Sequence, residues 1–236
     1  MSNEPEKKRE RAMVVFAHPD DAEFGSAGTV AKWASEGVEV TYVVATDGSK
    51  GSSDPDVTPD HLSELRYGEQ RDAARILGVA HVEFLGFEDG LLLPSIELRK
   101  AITAAIRRYR PDTVIVPNPV RSFELNAFAQ HPDHLACGEA ALAAIYPCAR
   151  DRLTFPELLR EGLEPHAVTE VLVVGTNAPD FWVDVTETIE TKVRALKAHD
   201  SQVGGRPVED FVPERAKRVA EGHDMEYAEA FKRLTI

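Results

Sequence analysis

Short apolar runs alternate with longer amphipathic stretches along this chain of 236 residues, and that alternation restricts its fold more than any other feature. The first run, AMVVFA at 12–17, is unbroken, as is typical of a strand buried on both faces. Further strand-like runs lie at 38–45, 81–85, 113–116 and 170–174. Stretches with helical features separate them, at 20–33, 59–77, 95–109 and 187–199. The sequence therefore predicts an α/β fold, a Rossmann-like, mostly parallel sheet with helices on both faces.

The two ends of the chain lead to separate predictions. Residues 1–11, MSNEPEKKRER, are polar and mixed in charge, which predicts a disordered tail. Residues 12–236 are predicted to form a single domain, because their number suits one core and no linker-like composition divides them. The segment 213–234 has the pattern of an amphipathic helix, and its apolar residues within 225–231 are predicted to dock on the domain or on a partner chain.

Charge and cysteine content exclude several classes of protein. Forty acidic against 27 basic residues give a formal net charge of −13, which argues against binding to nucleic acid or to an anionic membrane. No apolar stretch approaches the ~20 residues of a membrane span, and the first residues lack the apolar core of a signal peptide. Cys137 and Cys148 are too few for a disulfide framework. The sequence predicts a cytoplasmic protein without membrane insertion and leaves assembly into a homo-oligomer open.

Two short motifs, about 110 residues apart, carry the side chains that suit chemistry. The first, HPDD at 18–21, follows the first predicted strand and begins the first predicted helix. It is expected at the carboxyl end of that strand, where open α/β sheets bind ligands. The second, HPDH at 131–134, precedes an alanine-rich helix, and its proline suits the first helical position. We therefore expect the active site at the carboxyl ends of the strands.

The residue types in these motifs suit one divalent metal ion. Two neutral histidines and one carboxylate leave a bound Zn²⁺ with a net positive charge and an open position for water. Successive side chains diverge, so Asp20 and Asp21 do not easily bind one ion together, and the free carboxylate can accept a proton from water. Spacing alone leaves open whether His131 or His134 binds the metal. Zn²⁺ is the expected ion, with Fe²⁺ and Co²⁺ as alternatives.

Each motif taken alone also has an ordinary structural interpretation. A lone His-Pro-Asp is common, and an Asp-Asp pair at a helix start is usually a cap. The presence of both motifs, each at the start of a helix, favours a functional site. Asp133 is expected to raise the pKa of nearby His131 and so to suit that histidine to the role of a general acid.

These motifs resemble those of the LmbE-like, or PIG-L, zinc-dependent de-N-acetylases. The similarity comprises AHPDDAEFG at 17–25, RYGEQR at 66–71, LGV at 77–79, FLGFEDG at 84–90 and HPDH at 131–134. The resemblance extends from about residue 14 to about residue 202. It implies a hydrolase that removes the acetyl group from an N-acetylglucosamine-type moiety of a small glycoconjugate.

The resemblance also implies roles for individual residues. The metal would be bound by His18, Asp21 and His134. Asp20 would be the general base, and His131 would stabilise the oxyanion or protonate the leaving amine.

Three further roles follow from the same resemblance. Asp133 would orient a histidine, and Arg66 and Asp89 would contact sugar hydroxyls. Without the resemblance, Arg66 would be interpreted as a solvated helix residue and Asp89 as part of an Asp-Gly turn. Relatives that act on mycothiol precursors carry a tyrosine where this chain has Ala129, which argues against such a substrate.

Two alternatives to a de-N-acetylase stay open. One is an amidase that cleaves a larger acyl or thiol-sugar conjugate. The other is a non-catalytic protein that binds a metal or a sugar conjugate. The complete set of ligand residues argues against this alternative. His199, at the end of the predicted helix 187–199, is interpreted as a surface residue in preference to a residue of the site.

Overall fold

A computed structural model describes residues 9–122 and 130–236. The strands are β1 (Arg11–Phe16), β2 (Glu39–Thr46), β3 (His81–Phe87), β4 (Thr113–Pro117), β5 (Glu170–Val174), β6 (Phe181–Asp184) and β7 (Ala228–Thr235). The helices are α1 (Asp21–Ser35), α2 (Pro59–Leu77), α3 (Ile96–Tyr109), α4 (Pro132–Ala143), α5 (Pro156–Arg160), α6 (Ile189–Lys197), α7 (Asp200–Val203) and α8 (Val208–Ala220). Strands and helices alternate through most of the chain, which confirms the predicted α/β class.

The described strands form one sheet in the order β3-β2-β1-β4-β5-β7-β6. Strands β1 to β5 are parallel, and β7 is antiparallel to both of its neighbours. The chain moves from β1 to β2 and β3 on one side, and later returns to place β4 on the other side of β1. The carboxyl ends of β1 and β4 are therefore adjacent where the strand order reverses, which is the usual ligand position in open α/β sheets.

Helices cover both faces of the sheet. On one face, α3 and α4 bury Ile102, Ile106 and Cys137 against the central strands. On the other face, α1 and α2 bury Trp33 and Leu77. The two buried clusters explain why the strand segments are nearly continuous apolar runs, since each strand contributes side chains to both.

Local sequence signals explain where the longer helices begin and end. Thr58 caps α2 by accepting a hydrogen bond from the backbone N–H of His61, and Pro59 occupies the first helical turn. Gly78 ends the same helix with a φ of 78°, a conformation that glycine adopts without a steric cost. Ser95 caps α3 in the same way as Thr58 caps α2. These signals account for the agreement of the predicted bounds of α2 and α3 with the structure.

The predicted C-terminal helix is wrong for its second half. Helix α8 ends at Ala220, and residues 228–235 form strand β7, which hydrogen-bonds to β5 on one side and β6 on the other. Its first half, 228–231, pairs with β6 and its second half, 231–235, pairs with β5, and this pairing outweighs the local helical periodicity. Phe231 is fully buried by this arrangement.

The predicted N-terminal tail, 1–11, is wrong for its last residues. Arg11 begins β1, and the Arg9 side chain donates hydrogen bonds to Thr113 and Glu170. The remainder of the predicted tail, residues 1–8, lies outside the described residues. In the described ranges, no helix combines the length and the apolar character needed to cross a bilayer.

Helix α4 approaches the end of β4 so closely that one position in it requires glycine. A Cβ at Gly138 would lie 2.3 Å from the backbone oxygen of Pro117. We predict that Gly138→Ala lowers the free energy of unfolding by about 2–4 kcal/mol, because neither backbone can shift without disturbing the sheet. Urea-induced unfolding measures this change. Gly68→Ala, in α2 with no atom within 4 Å of the added Cβ, is the control and should stabilise the protein by up to about 1 kcal/mol. Equal stability of the two variants would contradict the close approach.

Candidate metal centre and active site

The two motifs meet at the adjacent carboxyl ends of β1 and β4. The first forms the turn from β1 into α1, and the second begins α4. Pro132 lies in the first turn of α4, as predicted, and His131 is its N-cap. The structure thereby brings together the six predicted motif residues His18, Asp20, Asp21, His131, Asp133 and His134.

Three of these side chains converge at distances that suit one metal ion. The Nδ1 atom of His18 lies 3.2 Å from the Nε2 atom of His134. The Asp21 carboxylate approaches both rings, with Oδ1 3.0 Å from His134 Nε2 and Oδ2 3.4 Å from His18 Nδ1. Ligands about 2.1 Å from a tetrahedral Zn²⁺ ion are separated by about 3.4 Å, so these distances are close to those that such an ion requires.

The other ring nitrogen of His18 faces two buried carboxylates. His18 Nε2 lies 3.1 Å from Asp133 and 3.1 Å from Asp89. Asp133 is fully buried and also accepts hydrogen bonds from the backbone N–H groups of Gly90 and Leu92. A proton on Nε2 is favoured by these acceptors, which leaves the lone pair of Nδ1 free to bind a metal. Asp133 therefore orients His18 and connects it to the loop after β3.

His18 also belongs to a second group of side chains that could hold a metal, with His131 and Asp133. Three observations make it the weaker group. The Nε2 atom of His18 is hydrogen-bonded to the carboxylates, and His131 Nδ1 accepts the backbone N–H of Asp133 as the helix cap. The His131 side chain is also 46% exposed, against 33% for His134. We therefore take the first group, His18, Asp21 and His134, as the candidate metal centre and call it the metal triad.

Electrostatics of the first group favour a bound cation. Burial disfavours a charged His18, but hydrogen bonds to Asp133, Asp21 and Asp89 outweigh burial and raise its pKa to about 12. The pKa of His134 is also raised, by the charge of Asp21 acting against burial. The carboxylates thus draw positive charge into the site, and a divalent ion would supply it in place of two protons.

Asp20 is held in an unusual conformation beside the metal triad. Its φ of 98° lies in the left-handed region, which non-glycine residues seldom adopt and which is often found at functional sites. The Gln70 side chain accepts a hydrogen bond from the Asp20 backbone N–H. Burial and the negative charge of Asp21 raise the pKa of Asp20 to about 7, and nearby Arg66 opposes this shift. A carboxyl group with this pKa can accept a proton near neutral pH.

The environment of His131 differs from the sequence prediction. Its ring packs edge-on against His18, with ring centroids 4.8 Å apart, while its Nδ1 is 3.9 Å from the Asp133 carboxylate. Burial and the charge of His18 lower the pKa of His131, and the opposing effect of Asp133 is smaller. Asp133 does raise this pKa, as expected, but burial and His18 outweigh it, so the pKa of His131 lies below its ordinary value. His131 is therefore neutral at pH 7, with Nε2 as its protonated nitrogen.

Arg66 and Asp89 are both buried, and their polar atoms are directed at the protein. Arg66 donates hydrogen bonds to the backbone oxygens of Gly48 and Pro19, at 2.8 and 2.6 Å. Asp89 accepts the backbone N–H of Lys50 in addition to facing His18. Contact of either residue with a sugar hydroxyl stays a prediction. The observed contacts give both a structural role, in which they hold the loop after β2 against the metal site.

His199 is fully buried, so its interpretation as a surface residue is wrong. Its Nε2 lies 3.2 Å from Glu23, and Glu23 accepts a hydrogen bond from the side chain of Gln70. Gln70 in turn contacts the Asp20 backbone, so a buried chain of polar groups connects α7 to the candidate base. Local sequence contains no signal for this network beyond an acidic residue in the first turn of α1, which also fits a favourable helix dipole.

A cavity of about 720 Å³ opens beside the metal triad, between α1, α8 and the end of the sheet. Asp21 and His134 lie in its wall, together with Phe24, Val174 and Trp182. Its volume lies within the range of small-molecule sites. The predicted loop before the second motif, including Ala129, lies largely at 123–129, outside the described residues.

Comparison with known proteins places the chain in a family. The family model for PIG-L, described as GlcNAc-PI de-N-acetylase, matches residues 13–145. That range is more than half of the chain and contains both motifs. The chain belongs to the PIG-L family.

Individual PIG-L relatives and one solved structure agree with this assignment. A diacetylchitobiose deacetylase of Thermococcus kodakarensis is 34% identical over 200 residues, which are 85% of this chain and 73% of that protein. A probable N-acetyl-alpha-D-glucosaminyl L-malate deacetylase 2 of Bacillus anthracis is 31% identical over 209 residues, 86% of each chain. The structure of N,N'-diacetylchitobiose deacetylase from Pyrococcus horikoshii with its inhibitor MPG has a TM-score of 0.89 at 30% identity, and the match covers 99% of this chain and 86% of that one.

The region matched by the PIG-L model ends before several parts of the site. His199 and helix α8, which forms one wall of the cavity, follow residue 145. The PIG-L motifs thus account for the metal triad and its carboxylates, and the later part of the chain supplies the surroundings on the β5 side.

The position of Asp133 behind His18 leads to a prediction about metal affinity. Asp133→Asn removes the charge that fixes the proton on His18 Nε2, so we expect Zn²⁺ affinity to fall by about 10–100-fold. Competition with a chromophoric chelator measures this affinity. Glu88→Gln removes a carboxylate of the same loop that is 61% exposed, and it should leave the affinity unchanged. Unchanged affinity in Asp133→Asn would contradict the orienting role.

Proposed function

We propose that this protein is a metal-dependent de-N-acetylase that removes the acetyl group from an N-acetylglucosamine-type moiety of a small glycoconjugate. The observation that carries the proposal is the triad of His18, Asp21 and His134 at ligand-to-ligand distances of 3.0–3.4 Å, with Asp20 beside it. The deacetylases named above support the same chemistry, since they share most of their length with this chain. Membership of the PIG-L family supports it independently.

The donor set favours zinc as the metal. Two histidine nitrogens and one carboxylate oxygen, with room for a water, form the usual set of a catalytic zinc site, although Fe²⁺ and Co²⁺ bind similar sites. When bound, such an ion supplies Lewis acidity toward a carbonyl oxygen and lowers the pKa of water to about 7. An amide needs this help, because it is a poor electrophile with a poor leaving group.

Asp20 acts as the general base in this proposal. Its pKa of about 7 leaves a substantial fraction ionised at neutral pH, and its carboxylate takes a proton from the attacking water. As the C–N bond breaks, the protonated Asp20 returns that proton to the departing nitrogen. The left-handed backbone of Asp20, held by its hydrogen bond to Gln70, differs from the helical backbone of Asp21. The proposal assigns Asp20 as the base and Asp21 as the ligand.

His131 acts as a neutral hydrogen-bond donor. Its Nδ1 is occupied as an acceptor, so Nε2–H is directed to the exposed side of the ring. From there it donates to the substrate oxygen on which negative charge develops during attack. A lowered pKa suits this role, because the imidazole stays neutral and still donates.

Arg66 and Asp89 position the site in this proposal. Arg66 fixes the Pro19 and Gly48 carbonyls and lies 3.6 Å from Asp20. Asp89 keeps His18 in place from the other side. Direct contact with sugar hydroxyls remains an additional expectation for both residues.

The proposed function is tested by acetate release from a panel of N-acetylglucosaminides with zinc-loaded protein. We expect release from at least one small glycoconjugate and loss of release after chelation. A protein that binds zinc and binds these sugars but releases no acetate would instead be a binding protein, and the proposal would fail.

A substitution of the base separates catalysis from metal binding. We predict that Asp20→Asn lowers kcat by about 10²–10⁴-fold while zinc content stays stoichiometric, because asparagine tolerates the left-handed conformation but accepts no proton. Metal analysis and acetate release measure the two properties. Normal turnover in this variant would remove Asp20 from the mechanism.

The two histidines of the second motif are distinguished in the same way. We predict that His134→Ala lowers zinc occupancy sharply, whereas His131→Ala retains zinc and loses about 10²–10³-fold in kcat. Zinc content and turnover of both variants are compared with wild type. The reverse pattern would exchange the two assignments.

A further inference from the structure

The cavity beside the metal triad differs in character from the rest of the site. Asp21 and His134 lie in its wall together with many apolar side chains, among them Phe24, Val174 and Val219. The exposed side chains of Arg215, Glu221 and His223 also line it. Its volume of about 720 Å³ greatly exceeds what the methyl group of an acetamide can fill. An acetyl group alone leaves most of this space without a partner.

Two charged residues in the cavity wall are already paired. Lys192 and Glu229 are both buried and form an ion pair. Glu229 also accepts the backbone N–H groups of Gly28 and Thr29, and Lys192 donates to the backbone oxygen of Phe24. These two buried groups therefore need no polar ligand. The other charged wall residues away from the triad, Arg215 and Glu221, are exposed, so the buried part of the cavity suits an apolar occupant.

Asp89, for which contact with a sugar hydroxyl is a prediction, lies on the opposite side of the metal triad. Asp89 and the loop around Lys50 are near β2 and β3, whereas the cavity adjoins β5, β7 and α8. An amide substrate bound at the triad has an acyl side and an amine side. If the sugar on the amine side of the substrate faces Asp89, the acyl group on the other side of the amide bond faces the cavity.

We infer that this cavity binds the acyl chain of the substrate, and that the enzyme cleaves N-acylglucosamine-type amides with unbranched chains of about four to eight carbons in preference to acetamides. This inference rests on the proposed function and extends it from the acetyl group to a class of longer acyl groups. The chemistry is unchanged. Water supplies the hydroxyl that bonds to the acyl carbon, and the C–N bond breaks with both electrons on nitrogen. The second proton of water goes to that nitrogen, so the products are a carboxylic acid and an amino sugar.

The first test is a chain-length series with zinc-loaded protein. N-acetyl-, N-butyryl-, N-hexanoyl- and N-octanoylglucosamine are compared by release of their common product, glucosamine. Burial of each methylene contributes up to about fourfold, so we expect kcat/KM for the hexanoyl amide to exceed that for the acetyl amide by at least about tenfold. Cleavage of the acetyl amide with no gain from longer chains would overturn the inference and leave the proposed function intact.

A variant that reduces the cavity provides the second test. Val219 lies in the cavity wall on α8, and Val219→Trp should lower the hexanoyl-to-acetyl ratio of kcat/KM at least tenfold. The exposed neighbour Lys217 does not line the cavity, so Lys217→Trp should leave the ratio unchanged. A ratio cancels any general loss of active protein. An unchanged ratio in Val219→Trp would contradict the assignment of the acyl chain to this cavity.

The opposite orientation, in which the sugar side of the substrate faces the cavity, is tested with a different substrate. Octyl N-acetyl-β-glucosaminide carries the apolar chain on the sugar, while its acyl group is acetyl. If kcat/KM rises for this glycoside and not for the octanoyl amide, the cavity binds the aglycone and the inference is wrong.

Binding can be measured without turnover, since Trp182 lines the cavity and the chain has only one other tryptophan, the buried Trp33. Titration with octanoate, the product of the longest amide, should change the tryptophan fluorescence saturably, and Trp182→Phe should abolish the change. If no amide is cleaved, the proposed function is refuted. Binding of octanoate still tests the assignment of the cavity in that case. Absence of saturable binding by octanoate would overturn the inference itself.

Discussion

Parallel pairing of β1 with β4 is the constraint on which the site depends. Ala12 lies opposite Thr113 and Val14 opposite Ile115, so the two strands end side by side. Each strand leads to a motif, and the motifs thereby meet although more than 100 residues separate them. Helices α1 and α4 both begin there, and their amino termini stabilise the carboxylates of Asp21 and Asp133. The close approach of Gly138 to Pro117 fixes how near α4 can lie.

Because the two motifs meet, several carboxylates lie close together, and this concentration of negative charge suits a cation. Asp133 is completely buried, yet it is stabilised by two backbone N–H groups of the loop after β3 and by His18. Asp89 of the same loop faces the same histidine. The orientation of His18, a candidate metal ligand, and the conformation of this loop are therefore coupled through direct hydrogen bonds. A buried set of carboxylates without a cation would be costly, which explains the raised pKa of His18 in their company.

The surroundings of the triad divide into two sides with different chemistry. Toward β2 and β3, Arg66 and its partners form a dense polar network that holds Asp20 and the loops in place. Toward β5 and α8, the buried pair of Lys192 and Glu229 satisfies its own polar atoms and leaves an apolar space. A hydrolase of amides needs both properties, since its substrate joins a hydrophilic amine to a less polar acyl group. The region matched by the PIG-L model contains the first side, and helix α8 on the second side lies outside it.

Much of this protein was predictable from local sequence. Continuous apolar runs identified the first five strands, and capping residues such as Thr58 and Ser95 set the helix bounds, because these signals act within a few residues. The motifs likewise predicted the metal-ligand residue types. Only the tertiary structure decided three other points. Residues 228–235 became a strand because β5 and β6 offered hydrogen bonds on both sides. Asp133 paired with His18 instead of His131, and His199 became buried against Glu23, because partners 115 and 176 residues away in the chain reached them in space. Contacts at such separations depend on the packing of the whole sheet, and no local pattern encodes them.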